Sequence, residues 1–229
     1  MKSFLIIGLA LVTLMSAKAD DPQIQVQGNC QMKVVPDRGT LIFTAENQSK
    51  NQKEAVKKTT EQVEKLKAQI KKLNLKDLEL KNSNYNVYPV REYEKERYVD
   101  KGYKAALNLE VTTSEISRIG ETMIKASDVG IINVGNLTTF LSLEKSRKEY
   151  LKCLDIAADD AREKAKQLAK RLGFKIGDVI LLNEVPNIPQ PFPEHRVSAM
   201  KSMMDSAPVQ IEAGTQNYST NIQVTFKIQ

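Results

Sequence analysis

The sequence predicts an α+β fold: a largely antiparallel sheet of long strands with three amphipathic helices packed on one face. Three observations predict it. Stretches rich in β-formers with near-alternating polarity recur along the chain. Three other stretches repeat apolar residues at helical spacing. The breaks between neighbouring strands are short and polar, as hairpins rather than crossovers require.

The elements follow in order. Ile24 to Val34 alternates, Pro36-Asp37 interrupts it, and Thr40 to Ala45 resumes it, which predicts two strands joined at a Pro-Asp bend. Ser49-Lys50-Asn51-Gln52 fits a capping box with Ser49 as N-cap. Behind it Val56, Val63, Leu66, Ile70 and Leu73 mark a helix that Asn74 can end. Leu78 to Val90 and Tyr103 to Thr112 read as long strands, with the charge-laced Arg91 to Lys101 as a solvated hairpin between them. Ile116, Ile119, Met123 and Ala126 form the stripe of a shorter helix ending at Gly130, and Ile131 to Leu143 returns to strand character. A second capping box, Ser146-Arg147-Lys148-Glu149, opens a third helix whose stripe is Leu154, Ala157, Ala161, Ala165 and Leu168, stopped by Gly173. Asp178 to Val185 is a strand, Pro186 to Pro208 an irregular loop, and Tyr218 to Ile228 a closing strand. Two long charged helices have no place in the wall of an outer-membrane β-barrel, so that architecture is excluded.

The first nineteen residues have the three parts of a cleavable signal peptide: Lys2, the apolar run Phe4 to Met15, and Ala17-Lys18-Ala19 ahead of Asp20. The expectation is a leader over 1–19 and a single domain over 20–229, exported and without a permanent anchor. The formal charge of +6 falls to +4 once Lys2 and Lys18 leave with the leader. Both signs are interspersed, so nucleic acid is not an expected partner. Cys30 and Cys153 are the only cysteines, and export places them where a disulfide persists. Alternation puts Cys30 on the face of Val26 and Val34, and Cys153 lies one turn before Ala157. Both point into one core, where they either bond or sit as small buried hydrophobes.

Chemistry-bearing constellations are sparse. The single histidine, His195, lies in the Pro-rich loop with no nucleophile elbow. Asp159 and Asp160 are adjacent on a helix, so their side chains diverge. Met200, Met203 and Met204 follow His195, and thioethers with an imidazole are a donor set for Cu(I), while methionines in a loop equally serve as packing. There is no phosphate loop, HExxH or CxxC. Lys50, Lys53, Lys57, Lys58, Lys65, Lys67, Lys71 and Lys72 read as the wet side of the first helix rather than a lipid-binding face. The catalytic, cofactor and metal sets are therefore empty, and no enzyme is expected.

Three segments together resemble the SIMPL domain family. Gly28-Asn29-Cys30-Gln31-Met32-Lys33-Val34-Val35-Pro36-Asp37 with Thr40-Leu41 is similar to its opening strand, and Gly102-Tyr103-Lys104-Ala105 to its mid-chain Gly-Tyr. Ala157 to Ala165, running on to Leu172-Gly173, resembles its Ala-Arg-x-Lys-Ala helix. Cys30 and Asn74 depart from the small residue and the Gly more usual there. The resemblance implies a bacterial periplasmic or envelope protein associated with the outer-membrane surface and linked to oxidative-stress tolerance. Some relatives form ring- or channel-shaped assemblies. No catalytic residues can be transferred, and the sequons at Asn47, Asn136 and Asn217 are incidental in a bacterium. The functional expectation is a non-enzymatic homo-oligomeric scaffold, with a small-ligand or soft-metal module built on the Pro/Met loop as the alternative. Self-association is expected through the long strands, which carry Tyr85, Tyr88, Tyr93, Tyr98 and Tyr103, or through the apolar loop.

Overall fold

The computed structural model describes residues 21–185 and 213–229. The chain runs β1 (Gln23–Val34), β2 (Arg38–Ser49), α1 (Gln52–Lys71), β3 (Glu79–Glu94) and β4 (Arg97–Thr113). A 3-10 turn at Ile116–Arg118 leads into α2 (Gly120–Asp128), β5 (Asn133–Val134) and β6 (Thr138–Phe140). Then follow α3 (Leu143–Leu172), β7 (Ile176–Val185) and β8 (Gln216–Ile228). The expected leader over 1–19 and the expected Pro186 to Pro208 loop with His195, Met200, Met203 and Met204 lie outside the described residues.

The α+β class and the antiparallel pairing are as the sequence predicts, and the layout is finer than one sheet. The strands divide into a three-stranded sheet, β1-β8-β7, and a larger one, β3-β4-β2-β5, with β6 also beside β2. Each sheet has its own core. Leu41, Phe43 and Ala45 of β2 and Leu107, Leu109 and Val111 of β4 meet Val63, Leu66 and Ile70 of α1, with Ile119 and Ala126 closing one end. Val26, Cys30 and Val34 of β1 and Tyr218, Ile222, Val224 and Phe226 of β8 meet Cys153, Ala157, Ala161 and Ala165 of α3. The helices thus serve different sheets, α1 and α2 one and α3 the other. The chain changes sheet at the Pro-Asp bend, because β1 pairs with β8 while β2 pairs with β4.

Helix starts shift from expectation for identifiable reasons. Strand β2 continues through Ser49, so Asn51 caps α1 instead, its side chain accepting from the Lys53 amide at 2.9 Å. Ser49 still contributes, donating to Glu54 at 2.7 Å. Helix α3 begins a turn early, capped by Ser142 rather than Ser146. Its stop at Gly173, in the left-handed region, is where the sequence puts it.

Strands β3 and β4 do not stop at Val90 and Tyr103. They pair on to Glu94↔Arg97, leaving a two-residue turn of Lys95 and Glu96, both at positive φ as a primed hairpin turn requires. Strand β2 ends opposite Tyr103, so the hairpin beyond that point projects past the sheet as a two-stranded arm.

Candidate assembly surface

Key residues of the three sequence motifs serve packing and hydrogen bonding. At Gly28, helix α3 lies so close that a Cβ would sit 2.0 Å from the Ala157 carbonyl oxygen and 2.8 Å from the Ala161 Cβ. The alanine stripe of α3 exists to permit this approach. Asp160 and Lys164, one turn apart, then fasten the helix to the outer edge of β1. The Asn29 amide donates to Asp160 Oδ2 at 2.7 Å, Lys164 Nζ donates to the same oxygen at 2.6 Å and to the Gln27 carbonyl at 3.0 Å. Lys164 first and the Asn29 amide second hold the Asp160 carboxyl below its ordinary value. This clasp lines an open cleft of about 470 Å³ with Val26, Gln27, Glu163, Gln167 and Leu168, and its half-buried Lys164–Asp160 pair is already satisfied.

Asp37, from the Pro-Asp bend, organises the start of α3. Its Oδ1 accepts from the Ser142 amide at 2.7 Å and its Oδ2 from the Ser142 hydroxyl at 2.6 Å, while that hydroxyl oxygen accepts from the Lys145 amide. Partial burial pushes the Asp37 carboxyl up, but the two Ser142 donors and nearby Lys145 outweigh it and hold it below the usual aspartate value. Gly102, at φ +93, turns β4 where the arm leaves the sheet, and a Cβ there would sit 2.4 Å from the Ser49 carbonyl oxygen. Gly28, Asp37, Gly102, Asp160, Lys164 and the alanine stripe thus hold the fold together.

Cys30 and Cys153 form a disulfide, with Cα atoms 5.5 Å apart and both side chains buried. It joins β1 to α3 two residues from Gly28. Beside it, opposite Cys30 in the β1–β8 register, the Thr220 hydroxyl is buried without a hydrogen-bond partner. Asp159 and Asp160 diverge as expected, Asp159 to solvent and Asp160 to the clasp. On α1, Lys57, Lys58 and Lys67 pair with Glu61, Glu54 and Glu64, which is the wet face of an amphipathic helix. Among the described residues no three His, Cys, Asp or Glu side chains gather as a metal site, and no helix is long and apolar enough to cross a membrane.

The sheet edges differ in how they are guarded. At β1 the clasp occupies backbone groups of Gln27 and Asn29. At β3, Pro89 offers no N–H and a register shift between Ser83 and Asn86 breaks the edge. The edge at β5 and β6 is cut to strands of 2 and 3 residues. Strand β7 has none of these protections along Leu181–Val185, where it pairs with β8 without interruption. It also exposes Val179, Ile180, Leu181 and Leu182, each 48–57 % accessible, on both faces. The sequence carries a signal for this surface: an unbroken Val-Ile-Leu-Leu run reads as a strand covered on both sides, and the described residues supply that cover on neither. Of the tyrosines, Tyr85, Tyr88, Tyr93 and Tyr98 are exposed, while Tyr103 is half-buried.

Fold and site together define a two-sheet α+β protein whose characteristic residues are structural and whose open feature is a sheet edge. The chain belongs to the SIMPL family, described as a protein of unknown function (DUF541), whose profile matches residues 24–226. It is 26% identical over 220 residues to the 26 kDa periplasmic immunogenic protein of Brucella melitensis, covering 90% of this chain and 85% of that protein. It is 23% identical over 210 residues to the uncharacterized protein YggE of Escherichia coli K12, covering 92% and 85%. The YggE protein of Edwardsiella ictaluri is 22% identical over 224 residues, covering 96% and 93%. None of these relatives is named as an enzyme.

Proposed function

We propose that this chain is an exported, non-enzymatic periplasmic protein that assembles with copies of itself into an envelope scaffold, in the context of oxidative-stress tolerance. The observation that carries the assembly is strand β7, which among the described residues is bare on one edge and exposes apolar side chains on both faces. Fully burying a Val, Leu or Ile side chain is worth about 1.5–3 kcal/mol, so four half-exposed ones leave roughly 3–6 kcal/mol unrealised in the monomer. Antiparallel pairing of β7 with β7 of a second copy would extend the three-stranded sheet to six and cover that surface. Closed two-fold pairing of this kind uses one patch on each copy, and a second contact elsewhere would build larger rings. Support for the compartment comes from the signal-peptide pattern at 1–19 and from the Brucella relative, named as periplasmic. Support for a non-catalytic role comes from the motif residues, which are spent on packing.

Light scattering on the leaderless chain tests the reading. A defined multimer at micromolar concentration is expected. A monomer at every concentration reached would overturn it and favour the small-ligand alternative, which titration with Cu(I) and elemental analysis then examine.

A further inference from the structure

We infer that Tyr93 and Tyr98, at the tip of the β3–β4 arm, are a built-in oxidative cross-linking site that converts to an intrachain dityrosine. The two residues are directly opposite in the register, one step from the Lys95-Glu96 turn. Their ring centroids are 5.2 Å apart at an interplanar angle of 63°. Among the described residues this is the one aromatic pair in ring contact, and it is not a core pair: Tyr93 is 65 % and Tyr98 74 % exposed. Around it the arm is exposed from Arg91 to Asp100 except for half-buried Val99, so an oxidant meets the rings without any unfolding.

Tyr85 and Tyr88 are exposed as well, but among the described residues only Tyr93 and Tyr98 are in ring contact with a second phenol. There is no tryptophan, and both cysteines are already bonded. Tyr150 and Tyr218 are engaged with Glu184 and the Ser146 carbonyl on the other sheet. The co-reactant is a peroxide acting through a one-electron oxidant such as a haem peroxidase. Each phenol gives one electron to the oxidant and its proton to solvent. The two phenoxyl radicals couple carbon to carbon, ortho to ortho, and each ring then regains its hydroxyl by moving the displaced ring hydrogen to oxygen. Two electrons and two protons leave in all, and one hydrogen peroxide becomes two waters. Proximity decides intrachain over interchain coupling. Groups on a short tether see each other at millimolar effective concentration, about a thousandfold above a micromolar solution. The product would lock the two strands covalently at the tip of the arm. This inference stands apart from the assembly reading, since its readout is a peptide mass that any oligomeric state allows.

The test treats the folded, leaderless protein at micromolar concentration with a haem peroxidase and hydrogen peroxide. Expected are dityrosine fluorescence, an intact mass lower by two hydrogens, and tryptic peptides 92–95 and 98–101 joined in one species. Tyr93→Phe and Tyr98→Phe, both at exposed positions, should each abolish all three, while Tyr85→Phe and Tyr88→Phe should leave them intact. Circular dichroism checks that every variant is folded. Fluorescence that survives Y93F and Y98F, cross-links mapping to other tyrosines or between chains, or no dityrosine at all would each overturn the inference.

Discussion

Replacing Gly28 by Ala should destabilise the protein by forcing β1 and α3 apart. The new Cβ would lie 2.0 Å from the Ala157 carbonyl oxygen, where ordinary contact begins near 3.4 Å, so strand and helix must separate by about 1.4 Å. Sliding apart is hindered, because the Cys30–Cys153 bond pins the same strand to the same helix two residues away. Separation also opens the alanine seam, where Ala157, Ala161 and Ala165 are buried to within 1 % and have no side-chain length with which to refill a gap. Overpacking a core costs about 1–3 kcal/mol where the surroundings can relax. With relaxation blocked, the upper end applies, about 3 kcal/mol. For a chain of this size that lowers the melting temperature by roughly 6–12 °C. Urea unfolding followed by far-ultraviolet circular dichroism, with the disulfide intact, measures it. Gly135→Ala is the control, since its Cβ would meet nothing closer than 3.4 Å. A Gly28→Ala variant as stable as that control would refute the claim that the Gly28 and alanine-helix motifs encode a close contact.

Two further outcomes follow from the same contacts. The disulfide spans a sequence separation of 123, for which the chain-entropy relation gives about 5 kcal/mol of stabilisation; the Cys30→Ala, Cys153→Ala double variant should lose a large part of it, read as a lower urea midpoint, and an unchanged midpoint would contradict the account. Asp37 has its carboxyl held below the ordinary 3.8, so the unfolded chain binds its proton first; the stability it contributes is present above about pH 4 and is lost as pH falls through the lower folded value. Asp37→Ala should therefore flatten the acid limb of a stability–pH curve as pH falls from about 4 through that value, and an identical limb in the variant would show that the Ser142 contacts contribute nothing.

What the sequence made legible was what local chemistry determines. The Pro36-Asp37 bend, the helix stop at Gly173 and the long strands are read from spacing and turn residues. Division into two sheets is not local: the alternation of β1 and β2 is the same whether they share a sheet or not, and only the pairing of β1 with β8, at the far end of the chain, separates them. Helix caps moved because strand pairing outweighed the box at Ser49, and because Asp37, more than a hundred residues away, recruits Ser142. The charged stretch Arg91 to Lys101 reads as a solvated hairpin between the strands, and the strands themselves run through it because Lys101 is held by Glu94 and Glu92 across the arm, cross-strand pairs that support extension. Leu168, a predicted core position, lines the open cleft at 43 % exposure because the helix meets β1 along its every-fourth-residue alanine seam.

If β7 is the strand through which copies of this chain meet, sedimentation equilibrium should separate residues 20–229 from the same segment carrying Leu182→Lys. Leu182 is 57 % exposed, so the lysine leaves the monomer folded while placing like charges near the pairing axis. The account predicts a multimer for the unaltered chain and a monomer, or a dissociation constant raised at least about tenfold, equivalent to about 1.4 kcal/mol, for the variant. Identical masses at every concentration, whether both monomeric or both assembled, would contradict it.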